Sequence, residues 1–281
     1  MLNNEYYGKL YLNLARLLNH AGYALITGTL EDNQYKKIIQ QNQVDGVILL
    51  NGSNYLEVLE TCKSHQIALI GIGTGFQKNA RTDSQLEIPI ISIDNISAGK
   101  SAAIYLNTKN IKKLMFISAK GIQSFADRLD GFEICANELG LPLSVHYLKT
   151  QSYNSHLYVK DAIDLMEQLE ITDFSQMGIF CANDDIGLGV YKYFEKNDKT
   201  LPCPILCFDN SFIAEHTGKG FSSFEQNIGL IATEGINSLL SLITNQNEKW
   251  VFCDIKYLEA KIIERNSTLF FQPNVKETHF V

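Results

Sequence analysis

The stretch SFADRLDGFEICANELGL places a cation, Arg128, in what reads as the first turn of a helix. A helix dipole disfavours positive charge at that end. The side chain is therefore expected to leave the helix axis, either toward a ligand or into an exposed ion pair with Asp127 or Asp130. Asn183 and Asp184 follow the apolar run GIFCA, and Asp209 follows ILCF. Such positions are the carboxyl ends of strands, where open α/β sheets hold their ligands. A guanidinium fork donates in pairs and a carboxylate accepts, a combination suited to neighbouring hydroxyls. Structural alternatives stand beside each reading. Asn183 or Asp184 can cap a helix beginning at Asp185; Asn183 is favoured as the ligand contact and Asp184 as the structural member. Asp209 can instead bond its own backbone in a turn.

Other chemistry finds no footing. There is no GxSxG, HExxH or phosphate-binding loop. GIGTGF is a glycine cluster after a strand but lacks the full dinucleotide fingerprint, and the six histidines neighbour no cysteine or serine in a catalytic pattern. Cys203 and Cys207 are four apart, but no second pair accompanies them, so neither a metal site nor a cofactor is expected. The net charge of -7, with no basic stripe, argues against tight nucleic-acid binding by these residues alone. Six cysteines are scattered, mostly through apolar runs, as buried free thiols in a reducing compartment would be. The polar start LNNEYYGKLYL and the lack of a spanning apolar run point to a cytoplasmic protein away from membranes.

What positions these residues is an alternation of short apolar runs and helical patterns. ALIT, VDGVILL, IALIGIG, IPIISID, LMFISA, MGIFCA, PILCFD and IKYLEAKIIE read as strands. Between them, segments such as YYGKLYLNLARLLNHAGY put Leu10, Leu14, Leu17 and Leu18 on one helical face, with Gly22 as its cap. Interleaving of this kind predicts parallel sheets covered on both faces. At 281 residues, two α/β lobes are expected. The first would take 1–110 and 227–252, crossing near NTKNIKK; the second would take 111–226 and 253–268, leaving a tail over 269–281 that holds Phe270 and Phe271.

In this order, the fragments NNEYYGKLYLNLARLLNHAGYALIT, VDGVILL, SIDNISAGKSAAIYL, RLDGF, IFCANDDIGLGV, ILCFDN and KIIERNST span about Asn3 to Thr268. Together they resemble the effector-binding domain of the LacI/GalR family of bacterial transcription regulators, which shares the type I periplasmic sugar-binding fold. The resemblance implies two Rossmann-like lobes with parallel sheets, joined by a multi-strand hinge around an effector cleft. It implies a homodimer whose geometry responds to the effector, and operator DNA contacted only through a helix-turn-helix domain that these residues do not contain. Arg128, three before Gly131, matches an arginine that holds the effector, and Asp209 matches an acidic acceptor. Gln226, seventeen residues after Asp209, matches a glutamine at a lobe crossing. Tyr6, Tyr7 and Tyr153 match positions where aromatic or apolar groups meet the effector. Ser124, four before Arg128, and Asp94, in SIDN, are further candidates, Asp94 having the alternative of a strand-end turn residue. Cys207 stands where the family has glycine, and TGKGF replaces its proline-rich loop. The polar set favours a sugar or sugar derivative as effector, with a purine-like ring as the alternative Tyr6 and Tyr7 leave open. A sugar-binding protein of a transporter shares the fold; the scattered cysteines speak against it.

Overall fold

The computed structural model describes residues 5–28, 34–76, 86–151, 155–197, 201–218, 220–245 and 254–271. Tyr153, Cys253 and the tail beyond Phe271 lie outside these. The chain divides into two units, one formed by Met1–Ile93 with Asn227–Leu258, the other by Asp94–Gln226 with the residues from Glu259 onward.

In the first unit, β1 (Gly46–Leu50), β2 (Ala68–Ile72), β3 (Ile90–Ile93) and β9 (Ile255–Leu258) form a parallel sheet in the order β1-β2-β3-β9. Side chains alternate across a strand, and the two faces of β2 show it. Ile70 and Ile72 meet Gly235 of α9 (Ile228–Thr244). Leu69 belongs instead to a core with Tyr55, Val58 and Leu59 of α3 (Tyr55–Ser64) and Ile39 of α2 (Gln34–Gln40). α9 also receives α1 (Glu5–His20), whose Leu10, Leu14 and Leu18 are buried on one face. α1 stops where Gly22 takes a φ of 82°, the left-handed cap read from the sequence.

At the carboxyl edge of this sheet two loops close on each other through main chain alone. The Asn51 amide donates to the Ile72 carbonyl and the Gly52 amide to the Thr74 carbonyl, each at 2.9 Å. A Cβ placed on Gly52 would fall 2.3–2.4 Å from the Gly75 carbonyl group and the Phe76 nitrogen. Gly52 thus permits the close backbone approach, while Gly73 and Gly75 of GIGTGF supply positive φ, 106° and 88°.

The second unit carries a sheet in the order β10-β8-β7-β6-β4-β5. Its strands are β4 (Lys113–Ser118), β5 (Leu143–Tyr147), β6 (Met177–Cys181), β7 (Ile205–Phe208), β8 (Ser222–Glu225) and β10 (Lys261–Ile263). All pair in parallel except β10, which runs antiparallel to β8. One face is aromatic. Phe116, Phe180 and Phe132 of α5 (Gln123–Glu138) pack with ring centroids 5.2–5.8 Å apart. Phe224 continues the row to Phe208, stacked at 5.0 Å. The opposite face offers Cys181 and Cys207 to Gly187 of α7 (Asp184–Lys196), and α7 in turn packs on α6 (Ser155–Gln168).

Several expectations change. The first crossing falls at Ile93–Asp94, not near residue 110. The cause is α4 (Asn95–Asn107), which lies so close on α5 that a Cβ on Gly131 would come within 1.9 Å of the Ile96 carbonyl oxygen. The run IKYLEAKIIE is two strands: β9 pairs with β3 in the first unit, and after Glu259–Ala260 the chain forms β10 in the second. ALIT pairs with no strand among the described residues, and Ile26 is 53 % exposed. β5 and β8 escaped the sequence reading because LSVHY is only half-buried and SSFE is polar at its start.

Candidate functional site

In the second unit β5 and β6 flank β4, so the chain turns in opposite directions from β4, and the switch point, where open α/β sheets hold their ligands, lies at the carboxyl ends of β4 and β6. α5 follows β4 and sends Arg128 to this place. The helix starts at Gln123, so Arg128 lies in its second turn rather than its first. The Gln123 amide nitrogen donates to Asp127 Oδ1 at 2.5 Å, an i to i+4 link that carries the helix back beyond the expected start. With Arg128 past the first turn, the dipole penalty has largely faded.

Arg128 is 3 % exposed. Its Nε donates to Asn95 Oδ1 at 2.9 Å and one terminal nitrogen donates to the Ala182 carbonyl at 2.5 Å, just past the end of β6. Its guanidinium carbon sits 3.4 Å from the centroid of the Phe208 ring, with Phe125 at 5.4 Å on another side. A cation over a desolvated ring gains about 2 kcal/mol. The guanidinium therefore ties the start of α4, the end of β6 and the end of β7 together. At this burial Arg128 is not an exposed surface arginine.

Asn183 caps α7: its side-chain oxygen accepts from the Ile186 amide at 3.0 Å and its amide nitrogen reaches Asp185 at 3.4 Å. The helix begins at Asp184, one residue before the expected start. Asp184 is buried and acts as a clamp. One carboxylate oxygen accepts from the Ser211 amide at 2.7 Å and the Ser211 hydroxyl at 2.8 Å; the other accepts from the Ser223 hydroxyl at 2.7 Å. Burial, and then the charge of Asp209, push its carboxyl up to about 8 against those donors.

Asp209 and Asn210 both hold positive φ, 106° and 46°. The Asp209 carboxylate accepts from Gln226 Nε2 at 2.6 Å, joining two residues that the family resemblance singled out separately. Gln226 is 6 % exposed. Asp94 is the helix cap of α4: its carboxylate accepts from the Ser97 amide at 2.9 Å and the Ser97 hydroxyl at 2.6 Å. Ser124 sits half-buried in the first turn of α5. Tyr6 and Tyr7 are half-buried on α1 in the first unit, their rings edge-on at 5.2 Å. Tyr153 lies outside the described residues.

Two contributors were missed. Asn95 follows Asp94 in the same SIDN fragment and holds Arg128; Phe208, read only as strand filler, forms its floor. The available signal was position, since each adjoins a residue already singled out.

Buried polar groups cost free energy unless bonded, and here each has its partner, so the site is organised in advance. It presents nitrogen donors and carboxylate acceptors. The five described cysteines are all free and buried, and burial holds the Cys207 thiol well above its ordinary value. Among the described residues no group of three or more His, Cys, Asp or Glu gathers as a metal site, and no helix is long and apolar enough to cross a membrane.

Residues 103–268 match the periplasmic binding protein-like domain family. The HTH-type transcriptional regulator RegA of Clostridium saccharobutylicum is 23 % identical over 277 residues, 95 % of this chain and 79 % of that protein. A LacI family transcriptional regulator from Enterococcus faecium, solved with bound ribose, superposes with a TM-score of 0.78 at 18 % identity, covering 95 % of this chain and 96 % of that one. A periplasmic binding protein/LacI transcriptional regulator from Alkaliphilus metalliredigens, complexed with D-xylulofuranose, gives 0.72 at 20 % identity, with 96 % of each chain covered. With the match spanning more than half its length, and with the parallel sheets and strand-end site already described, the chain belongs to the periplasmic binding protein-like domain family.

Proposed function

We propose that this chain is the ligand-sensing core of a LacI/GalR-type transcription regulator, and that it binds a small polyhydroxylated molecule, a sugar or sugar derivative. The observation that carries this reading is the grouping of Arg128, Asn95, Asp209 and Gln226 at the carboxyl edge of the second unit's sheet, each buried or part-buried and tied by hydrogen bonds. Paired donors and acceptors of this kind suit adjacent hydroxyls. Regulatory relatives and sugar-bound structural neighbours support it. The transporter reading loses ground on the same relatives and on the free thiols.

In this reading the ligand biases a two-state equilibrium that operator binding also biases, with a coupling of about 1–3 kcal/mol. Operator contact would pass through a helix-turn-helix domain outside this sequence, in a cytoplasmic homodimer. Catalysis is not part of the proposal.

The test is calorimetry and thermal shift with ribose, xylulose, cellobiose, sugar phosphates and purine nucleosides. At least one sugar is expected to bind, and Asp209→Asn and Arg128→Lys are each expected to weaken it about tenfold or more. Arg128→Ala is the poorer probe, because it also strips bonds from Asn95 and Ala182. Absence of binding by every sugar, or unchanged affinity in both variants, overturns the assignment.

A further inference from the structure

Asp209 and Asn210 are two consecutive residues with side chains held at positive φ. Such a conformation costs on the order of 1–3 kcal/mol per residue and persists only where its surroundings enforce it. The enforcement is visible at Asn210. Its backbone amide donates to Ser223 Oγ at 3.0 Å, its side-chain nitrogen donates to Glu225 at 2.6 Å, and its side-chain oxygen accepts from Arg265 at 2.8 Å.

Arg265 arrives from just beyond β10, fifty-five positions along the chain. Its other terminal nitrogen donates to the Phe221 carbonyl at 2.9 Å, and its own amide donates to Ser222 Oγ at 2.8 Å. The following residues lock the same patch: Ser267 Oγ donates to the Ile205 carbonyl at 2.6 Å, and Thr268 Oγ1 lies 2.5 Å from Ser222 Oγ. Gly220 leaves the space for the arginine stem, since a Cβ there would fall 2.7 Å from Arg265 Cδ. The planar fork spans two acceptors that a lysine could not satisfy together.

We infer that Arg265 is a positioning residue: acting through Asn210, it holds the Asp209 carboxylate where a ligand hydroxyl would meet it. This rests on the proposed ligand role of Asp209 and extends it to a residue that touches no ligand.

The experiment uses Arg265→Lys, Asn210→Gly and the double variant. Amide exchange by NMR is the ligand-independent readout. In Arg265→Lys the Asp209 and Asn210 amides are expected to exchange at least about tenfold faster, with the amides of β6 unchanged, as loss of one charge-assisted bond predicts. For whichever sugar binds the parent chain, the dissociation constant is expected to rise about tenfold or more, with little further loss when Arg265→Lys is added to Asn210→Gly. Unchanged exchange at residues 209 and 210 overturns the inference, as does faster exchange with unaltered affinity. Should no sugar bind the parent chain, the ligand assignment fails, and the exchange result alone decides whether Arg265 holds the loop.

Discussion

Replacing Gly131 with alanine asks how closely α4 and α5 are packed, and the sign of the result decides. On helix propensity alone, Gly→Ala inside a helix stabilises by about 1 kcal/mol. The geometry predicts the reverse. The new methyl would meet the Ile96 carbonyl oxygen at 1.9 Å and its carbon at 2.7 Å. Both are main-chain atoms, so no rotamer change relieves the overlap. To restore ordinary contact the helices must part by roughly 1.5 Å, in an interior without slack. That shift loosens Phe132, now fully buried, and stretches the 2.9 Å bond between Arg128 and Asn95. Overpacking costs about 1–3 kcal/mol and the loss of a hydrogen bond to a charged group about 1.5–3 kcal/mol. After the propensity gain, a net loss of about 1.5–5 kcal/mol is expected. Urea unfolding followed by circular dichroism measures it. Gly229→Ala in α9, where a Cβ has no neighbour nearer than 3.9 Å, serves as the control and should be neutral or slightly stabilising. A Gly131→Ala protein as stable as its parent would refute the reasoning.

Asp184 carries a pH signature. Its carboxyl is raised to about 8 in the fold, against about 3.9 when unfolded. The folded chain thus holds the proton more tightly, so stability from this group is full below pH ~4 and is lost as pH rises toward 8, by at most about 1.4 kcal/mol per unit. Asp184→Asn should flatten that part of the stability–pH curve, and parallel curves would contradict the raised value. A Cβ on Gly187 would lie 2.2 Å from Cys207 Sγ, so Gly187→Ala should cost about 1–3 kcal/mol and Cys207→Ala in the same chain should recover most of it. Chemical denaturation of the two single variants and the double variant checks this; simple additivity would disprove the contact.

The legible parts of this fold were those where apolar pattern and burial coincide. β2, β4, β6 and β7 are continuous hydrophobic runs because both their faces are covered, and the sequence shows them as such. The unit boundary was not legible, because it depends on Gly131 of α5 and Gly99 of α4, where a Cβ would fall 2.1 Å from the Arg128 carbonyl oxygen, letting the two helices approach, and the polar turn after α4 is an ordinary loop. In the site, the resemblance singled out Asp209 and Gln226 separately, but neither the bond between them nor the partners of Arg128 left a trace in the sequence. An asparagine thirty-three residues away and a carbonyl fifty-four away leave no periodic trace. Asn183 shows the limit of residue type as a guide: the same amide suits a ligand hydroxyl or a helix end, and the bond to Ile186 uses its oxygen for the helix.

The contact between Gly52 and Gly75 restricts how this protein can diversify. Where main chain touches main chain, substitution has no purchase, so any novelty along that rim must come from the residues beside the glycines, Ser53 and Thr74. A saturation library over Ser53 and Thr74 would leave the scaffold intact and vary its chemistry, whereas one that included position 52, or Asn51 with its φ of 77° and its bond to the Ser53 amide, would mostly yield misfolded chains.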